Sequence, residues 1–166
     1  VKMRFLGNIE AKIDSKGRVF LPAQFRKELQ GAGGEGLVVR KDVFQPCLVL
    51  YPESVWNAQM DVLRSRLNRW DMTHQSVFRQ FVADAETVTL DANGRFMLTK
   101  RHLKMAGIAQ AVRVVGMDDV VEIWSSELAD RPFMEQGEFG KALESIMKDS
   151  AQGGPGTAAG MTHTDI

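Results

Sequence analysis

Asp14-Ser15-Lys16-Gly17-Arg18-Val19-Phe20-Leu21-Pro22 recurs 77 positions later as Asp91-Ala92-Asn93-Gly94-Arg95-Phe96-Met97-Leu98-Thr99, with Asp, Gly and Arg in the same registers. A repeat of this kind governs how the whole chain is read. Asp at the first and Gly at the fourth place of four residues is what a type I turn prefers, because Asp bonds the backbone just ahead of it and Gly accepts positive φ. Ahead of each turn apolar and polar residues alternate, Ile9, Ala11 and Ile13 in the first copy, Val88 and Leu90 in the second; behind each comes an apolar triplet. Both flanks read as strands and each copy as a hairpin tip. Arg18 and Arg95 then leave matched positions on two equivalent hairpins, with Lys16 and Asn93 beside them.

A single D-x-x-G-R turn reads as a surface hairpin with a solvated arginine. Turn chemistry asks for Asp and Gly and is indifferent to Arg, so an arginine kept in both copies needs a reason of its own. Arg donates in a planar fork that suits phosphate oxygens and the major-groove edge of guanine, and that groove admits a two-stranded ribbon. The competing structural reading is an Arg18–Asp14 salt bridge inside the turn. An exposed pair of that kind is worth only about 0–1 kcal/mol and can be exchanged for a phosphate contact.

Charge is distributed in the same sense. The 166 residues carry 21 cations and 21 acids, but residues 1–30 hold a balance of +4, residues 95–104 another +4, and residues 105–166 a balance of −6. The basic charge gathers around the two repeated turns, which favours an anionic partner. With 44% hydrophobic residues the chain can bury an adequate core. No apolar stretch approaches a membrane span and the amino terminus has no long apolar signal region, so a cytoplasmic location is expected. Cys47 is the lone cysteine, which excludes an intrachain disulfide framework.

Each turn is followed by the same succession of elements. A short helix is expected to begin with Pro22 at its first position and to bury Phe25 and Leu29; Thr99 is placed to cap its counterpart, which Gly107 would close. Strand-like runs then follow, Leu37 to Val39 and Leu48 to Tyr51 in one half, Val112 to Val115 and Val120 to Trp124 in the other. Between the halves Trp56, Met60, Leu63, Leu67 and Trp70, then Val77, Phe78, Phe81, Val82 and Ala85, repeat at helical spacing and predict a helical pair. A last helix is expected over about 132–148, with Phe139, Leu143, Ile146 and Met147 on one face. These apolar stripes read as core or subunit interface. Residues 149–166, rich in glycine, are expected to be disordered.

The chain shows no nucleophile with a base, no phosphate-cradling loop and no metal-ligand spacing. His74, His102 and His163 are scattered, and Cys47 has no neighbouring ligand. Gly31 to Gly36 lacks the Gly-Lys-Ser/Thr ending of a phosphate loop and precedes a strand, so it is a connection. Asp118-Asp119 reads as a hairpin turn. An enzyme is not expected, and neither cofactor nor metal is implied.

The motif from Asp14 to Arg26 resembles the signature of the SpoVT–AbrB superfamily. Taken with Phe5-Leu6-Gly7-Asn8, Leu50-Tyr51-Pro52 before Trp56, the second copy at 91–98 and Glu122-Ile123-Trp124-Ser125, the chain is similar to the MraZ family over about residues 3–148. The resemblance implies an α+β fold in which two AbrB-type swapped-hairpin units close a small β-barrel with helices packed on it: residues 3–78 with a helical insertion, then 79–148 with a carboxy-terminal helix. It implies a transcriptional regulator of the division and cell-wall gene cluster, cytoplasmic and nucleoid-associated, that assembles into a ring and binds promoter direct repeats in double-stranded DNA. Arg18, Arg95, Lys16 and Asn93 would be the DNA-binding residues. The second copy departs from the pattern at Thr99, in the proline slot, and at Leu103, in the Arg26 slot, which lowers its expected share of the contact. An AbrB-type antitoxin and a structural ring protein without a DNA role are the rival classes; the antitoxin usually ends in a toxin-binding segment, and the structural ring leaves the arginines unexplained.

Overall fold

The computed structural model describes residues 3–34 and 36–152, with side chains through Lys148. It falls into two units, one ending at Asp130 and the other beginning at Arg131. In the first, β1 (Asn8–Lys12), β2 (Arg18–Phe20), α1 (Ala23–Gly31), β3 (Leu37–Lys41) and β4 (Cys47–Pro52) are followed by the helical pair α2 (Glu53–Arg66) and α3 (Met72–Ala83). Then come β5 (Glu86–Val88), β6 (Arg95–Met97), α4 (Lys100–Met105), β7 (Ala111–Met117), β8 (Val120–Ser125) and α5 (Ser126–Ala129). The expected α+β class and the repeated order of hairpin, short helix and hairpin are both present.

Strand pairing shows how the copies combine. One antiparallel sheet runs β1-β7-β8-β4-β3-β5, and β2 pairs with β6 in a separate two-stranded ribbon. If β1, β2, β3 and β4 are exchanged for their counterparts β5, β6, β7 and β8, the sheet order reads the same backwards, so the two copies are related by a pseudo-two-fold. The outer strand of each copy lies on the other copy: Ala11 sits opposite Val112, and Val88 opposite Leu37. The ribbon is also shared, with Leu21 N donating to Gly94 O at 3.0 Å and Leu98 N to Gly17 O at 2.8 Å.

The swapped pairing therefore exists, but the expected closed barrel is not found. β1 and β5 end the six-stranded sheet, and among the described residues the pairing between ribbon and sheet is the single bridge Ile13–Val19. Packing joins the layers instead. Val19, Leu21, Phe25, Phe96 and Leu98 share one core with Leu48, Leu50, Val112, Val114 and Ile123, each of them nearly inaccessible. Burial of a large apolar side chain contributes roughly 1.5–3 kcal/mol, so this shared core is what holds the ribbon down.

Local chemistry explains the helix ends. Pro22 is the N-cap of α1 and not its first residue, and Phe25 and Leu29 are buried as their spacing requires. Thr99 caps α4 by accepting from His102 N at 3.2 Å, and Gly107 at φ 64° lets Ile108 N reach back to Leu103 O at 2.9 Å. Asp118, at φ 65°, turns the β7–β8 hairpin. The helical pair is present, but α2 stops at Arg66, short of the predicted Trp70, which is 95% exposed. The stop has a local cause: Asn68 Oδ1 accepts from Trp70 N at 2.9 Å and Asp71 Oδ1 from His74 N at 3.0 Å, so side chains compete with the helical ladder. Stacking of Trp56 on Phe81, centroids 5.6 Å apart, and an edge contact with Tyr51 at 5.2 Å tie the pair to β4.

In the second unit α6 (Gln136–Gln152) begins later than the predicted 132, after Glu135 accepts from Gly137 N and Glu138 N. Phe139, Leu143, Ile146 and Met147 form one half-exposed face of it. The helix continues through residues expected to be disordered, 149–152; the rest of that expected tail, from 153, lies outside the described residues.

Candidate nucleic-acid interface

Each tip is built by one aspartate. Asp14 Oδ1 accepts from Lys16 N and Arg18 N, both at 2.9 Å, while Gly17 N closes the turn onto Asp14 O at 3.0 Å. The second tip reproduces this: Asp91 Oδ1 accepts from Asn93 N and Arg95 N at 2.9 Å, and Gly94 N donates to Asp91 O at 3.0 Å. Gly17 and Gly94 have φ of 84° and 79°, the positive values that the turn motif demands. The backbone amide of Arg18 is the foremost reason that the Asp14 carboxyl is held below the usual carboxylate range, and the amide of Arg95 does the same for Asp91.

The salt bridge that competes with an anion contact is also present, in both copies. Arg18 Nε donates to Asp14 Oδ2 at 2.7 Å and Arg95 Nε to Asp91 Oδ2 at 2.8 Å. It occupies only the inner edge of each guanidinium. Among the described residues no hydrogen bond engages the terminal Nη atoms of either arginine, and the two side chains stay 30% and 23% exposed. The aspartate thus aims the fork without consuming it.

The ribbon brings the two arginines onto one face. Arg18 lies opposite Met97, Val19 opposite Phe96 and Phe20 opposite Arg95. Val19 and Phe96 point into the core, so the other face carries Arg18, Phe20, Arg95 and Met97, with Phe20 52% and Met97 58% exposed. Diagonal neighbours in such a pair stand about 7–8 Å apart. The Arg95 guanidinium carbon is 5.7 Å from the centre of the Phe20 ring. Reading the residues after each turn as an unbroken apolar triplet missed Phe20 and Met97; the period-two alternation starting at the arginine was the available signal.

Crossing of the copies also changes where charge is delivered. A Cβ at Gly94 would meet Arg26 Nη1 at 2.6 Å and Cδ at 2.7 Å, so the first copy's helix lays its arginine over the second copy's turn. Arg26 Nε donates to Leu21 O at 3.0 Å and is held there. The counterpart of Arg26 is Leu103, whose Cδ1 would meet a Cβ at Gly17 at 3.6 Å. The first tip therefore offers Lys16 and Arg18, the second Asn93, Arg95 and the borrowed Arg26. Lys16 and Asn93 are both exposed at the tips. The departure at Leu103 removes charge from the first tip and not from the second, the reverse of what its place in the second copy suggests, and no local signal could reveal this before the pairing was known.

Other chemistry is sparse. Among the described residues no three His, Cys, Asp or Glu are grouped to hold a metal ion, and no helix is long and apolar enough to cross a membrane. Cys47 is buried, which pushes its thiol far above the usual range. His102 is buried on Asp84 O at 2.9 Å and serves packing.

Fold and site together define a duplicated β-hairpin protein whose interleaved copies present matched arginine tips. The family described as "MraZ protein, putative antitoxin-like" matches residues 4–76 and 81–130. A protein of Phocaeicola vulgatus named transcriptional regulator MraZ is 63% identical over 145 residues, covering 87% of this chain and 94% of its own. Namesakes from Bacteroides fragilis, 58% identical over 147 residues, and Christiangramia forsetii, 32% over 146, cover 89% and 87% of this chain and 93% and 94% of their own. The chain belongs to the MraZ family.

Proposed function

We propose that this protein is a transcriptional regulator that binds double-stranded DNA in a sequence-specific way through its two arginine tips. The observation that carries the reading is the cross-copy β2–β6 pairing, which sets Arg18 and Arg95 on one face with their terminal nitrogens free of hydrogen bonds among the described residues. Names of the relatives point the same way. A two-stranded ribbon is narrow enough for the major groove, where Arg reads guanine O6 and N7. Lys16, Asn93 and Arg26 would contact phosphates and set register. We further propose that the repeat units 3–78 and 79–148 assemble with copies of themselves into a ring that spans promoter direct repeats of the division and cell-wall gene cluster, so that weak contacts add. Such a protein would act in the cytoplasm, associated with the nucleoid.

The test is Arg18→Ala against the DNA upstream of the protein's own gene. Asp14 keeps its backbone bonds without the guanidinium, so the variant should fold and lose about 1–3 kcal/mol for each base contact removed. Wild-type affinity in a variant with normal circular dichroism would eliminate the hairpin-tip reading.

A further inference from the structure

The elbow between α2 and α3 concentrates charge that the DNA reading does not use. Residues 62–83 hold Arg64, Arg66, Arg69 and Arg79 against one acid, Asp71. The loop folds these elements around a cavity of about 380 Å³ whose lining includes Arg64, Arg69, Arg79 and His74 and no carboxylate. Among the described residues no ion pair engages any of those three arginines. Asp71 is committed elsewhere: it caps α3 through His74 N, which is the chief cause of its carboxyl lying below the usual range.

Arg64 has a structural reason to be here, in the last turn of α2, where a cation offsets the helix dipole. Arg69 lies in the connection and Arg79 within α3, and both are exposed. Three exposed guanidinium groups lining one small cavity make it locally positive, so an anion seated among them would be attracted by all three. The site is also held in shape. Gln75 Nε2 donates to Arg69 O at 2.6 Å, and Asn68 N donates to His74 Nδ1 at 2.8 Å. With Nδ1 accepting there, Nε2 is the ring nitrogen left to donate.

We infer that this cavity binds a small phosphate-bearing polyanion. Arg forks pair with phosphate oxygens in a bidentate way, and the volume falls within the range of small-ligand pockets, about 300–1,000 Å³. The site uses none of the tip residues, so it stands or falls apart from DNA binding.

Calorimetric titration of the full chain with sodium tripolyphosphate at fixed ionic strength tests this. Saturable binding is expected, weakened by about tenfold or more in Arg69→Gln/Arg79→Gln and by a smaller factor in Arg79→Gln alone, with unchanged circular dichroism. Arg18→Gln should leave it unchanged. Absence of saturable binding up to about 10 mM, or equal affinity in wild type and double variant, overturns the inference. So does equal loss in Arg18→Gln, which would place the anion at the tips. If the double variant weakens a DNA duplex by the same factor as tripolyphosphate, the cavity is a DNA backbone contact and the small-ligand reading is wrong.

Discussion

Gly17 and Gly94 occupy equivalent positions, yet replacing each by alanine should have different consequences. Both residues sit at positive φ, 84° and 79°, where a Cβ costs about 1–2 kcal/mol. At Gly17 the new methyl would lie 2.7 Å from Leu98 O, a backbone atom fixed in the ribbon. Relief requires the ribbon to part, which weakens the bond from Leu98 N to Gly17 O, now 2.8 Å and worth about 0.5–1.5 kcal/mol net. The total for Gly17→Ala is about 1.5–3.5 kcal/mol. At Gly94 the nearest atoms all belong to Arg26, a flexible side chain that can rotate aside without parting the ribbon, so the cost is the conformational term of about 1–2 kcal/mol plus at most the exchange of the Arg26 Nε bond to Leu21 O for a bond to water. Urea unfolding followed by circular dichroism measures both. Gly17→Ala should lower the midpoint further than Gly94→Ala, with an unchanged slope. Equal losses, or a larger loss for Gly94→Ala, would refute the claim that one turn is backed by backbone and the other by a movable arginine.

Arg26→Ala should flatten the salt dependence of DNA binding by about 0.9 in the slope of log K against log salt for each phosphate it contacts, and leave folding intact; an unchanged slope in a filter-binding series would remove Arg26 from the interface. Acid should destabilise the tips in a defined direction. Asp14 and Asp91 have folded pKa values below their unfolded ones, so their contribution is complete above the unfolded value and disappears as pH falls through the depressed folded value. Asp14→Asn should reduce the loss of stability on acidification, and an identical acid melting profile in that variant would contradict the assignment. If the proposed ring forms, Leu63→Glu, on the half-exposed stripe of α2, should lower the mass seen in light scattering and leave circular dichroism unchanged; a monomeric wild-type protein would remove the ring, and unfolding of the variant would place Leu63 in the core.

Legibility in the sequence followed the range of the interactions. Turns were readable because Asp14 and Asp91 make their bonds within four residues, and the short helices because Thr99 and Gly107 act on adjacent backbone. The spacing of Trp70 matches the stripe of α2, while the bonds that end that helix, from Asn68 and Asp71, are as local as any and leave no mark on the apolar periodicity. Partnership was the illegible part. Nothing near Arg26 states that its neighbour will be Gly94, since that contact is set by which copy's strand each ribbon strand selects.

Interleaving also has a consequence for the order in which the chain can become ordered during synthesis. β2 completes its ribbon with β6, and β1 is bonded to β7, over 100 residues downstream for the pair Asn8–Val115. Closing such distant contacts spends chain entropy before any ladder bond is gained, which slows folding. At about 5–20 residues per second, the ribosome needs roughly 4–15 s to deliver β6 after β2 has emerged. Throughout that interval Val19, Leu21 and Phe25 have no Phe96 or Leu98 to pack on, and β1 has an open edge. The newborn first half is therefore the segment for which a chaperone, or the first half of a neighbouring nascent chain, competes most directly.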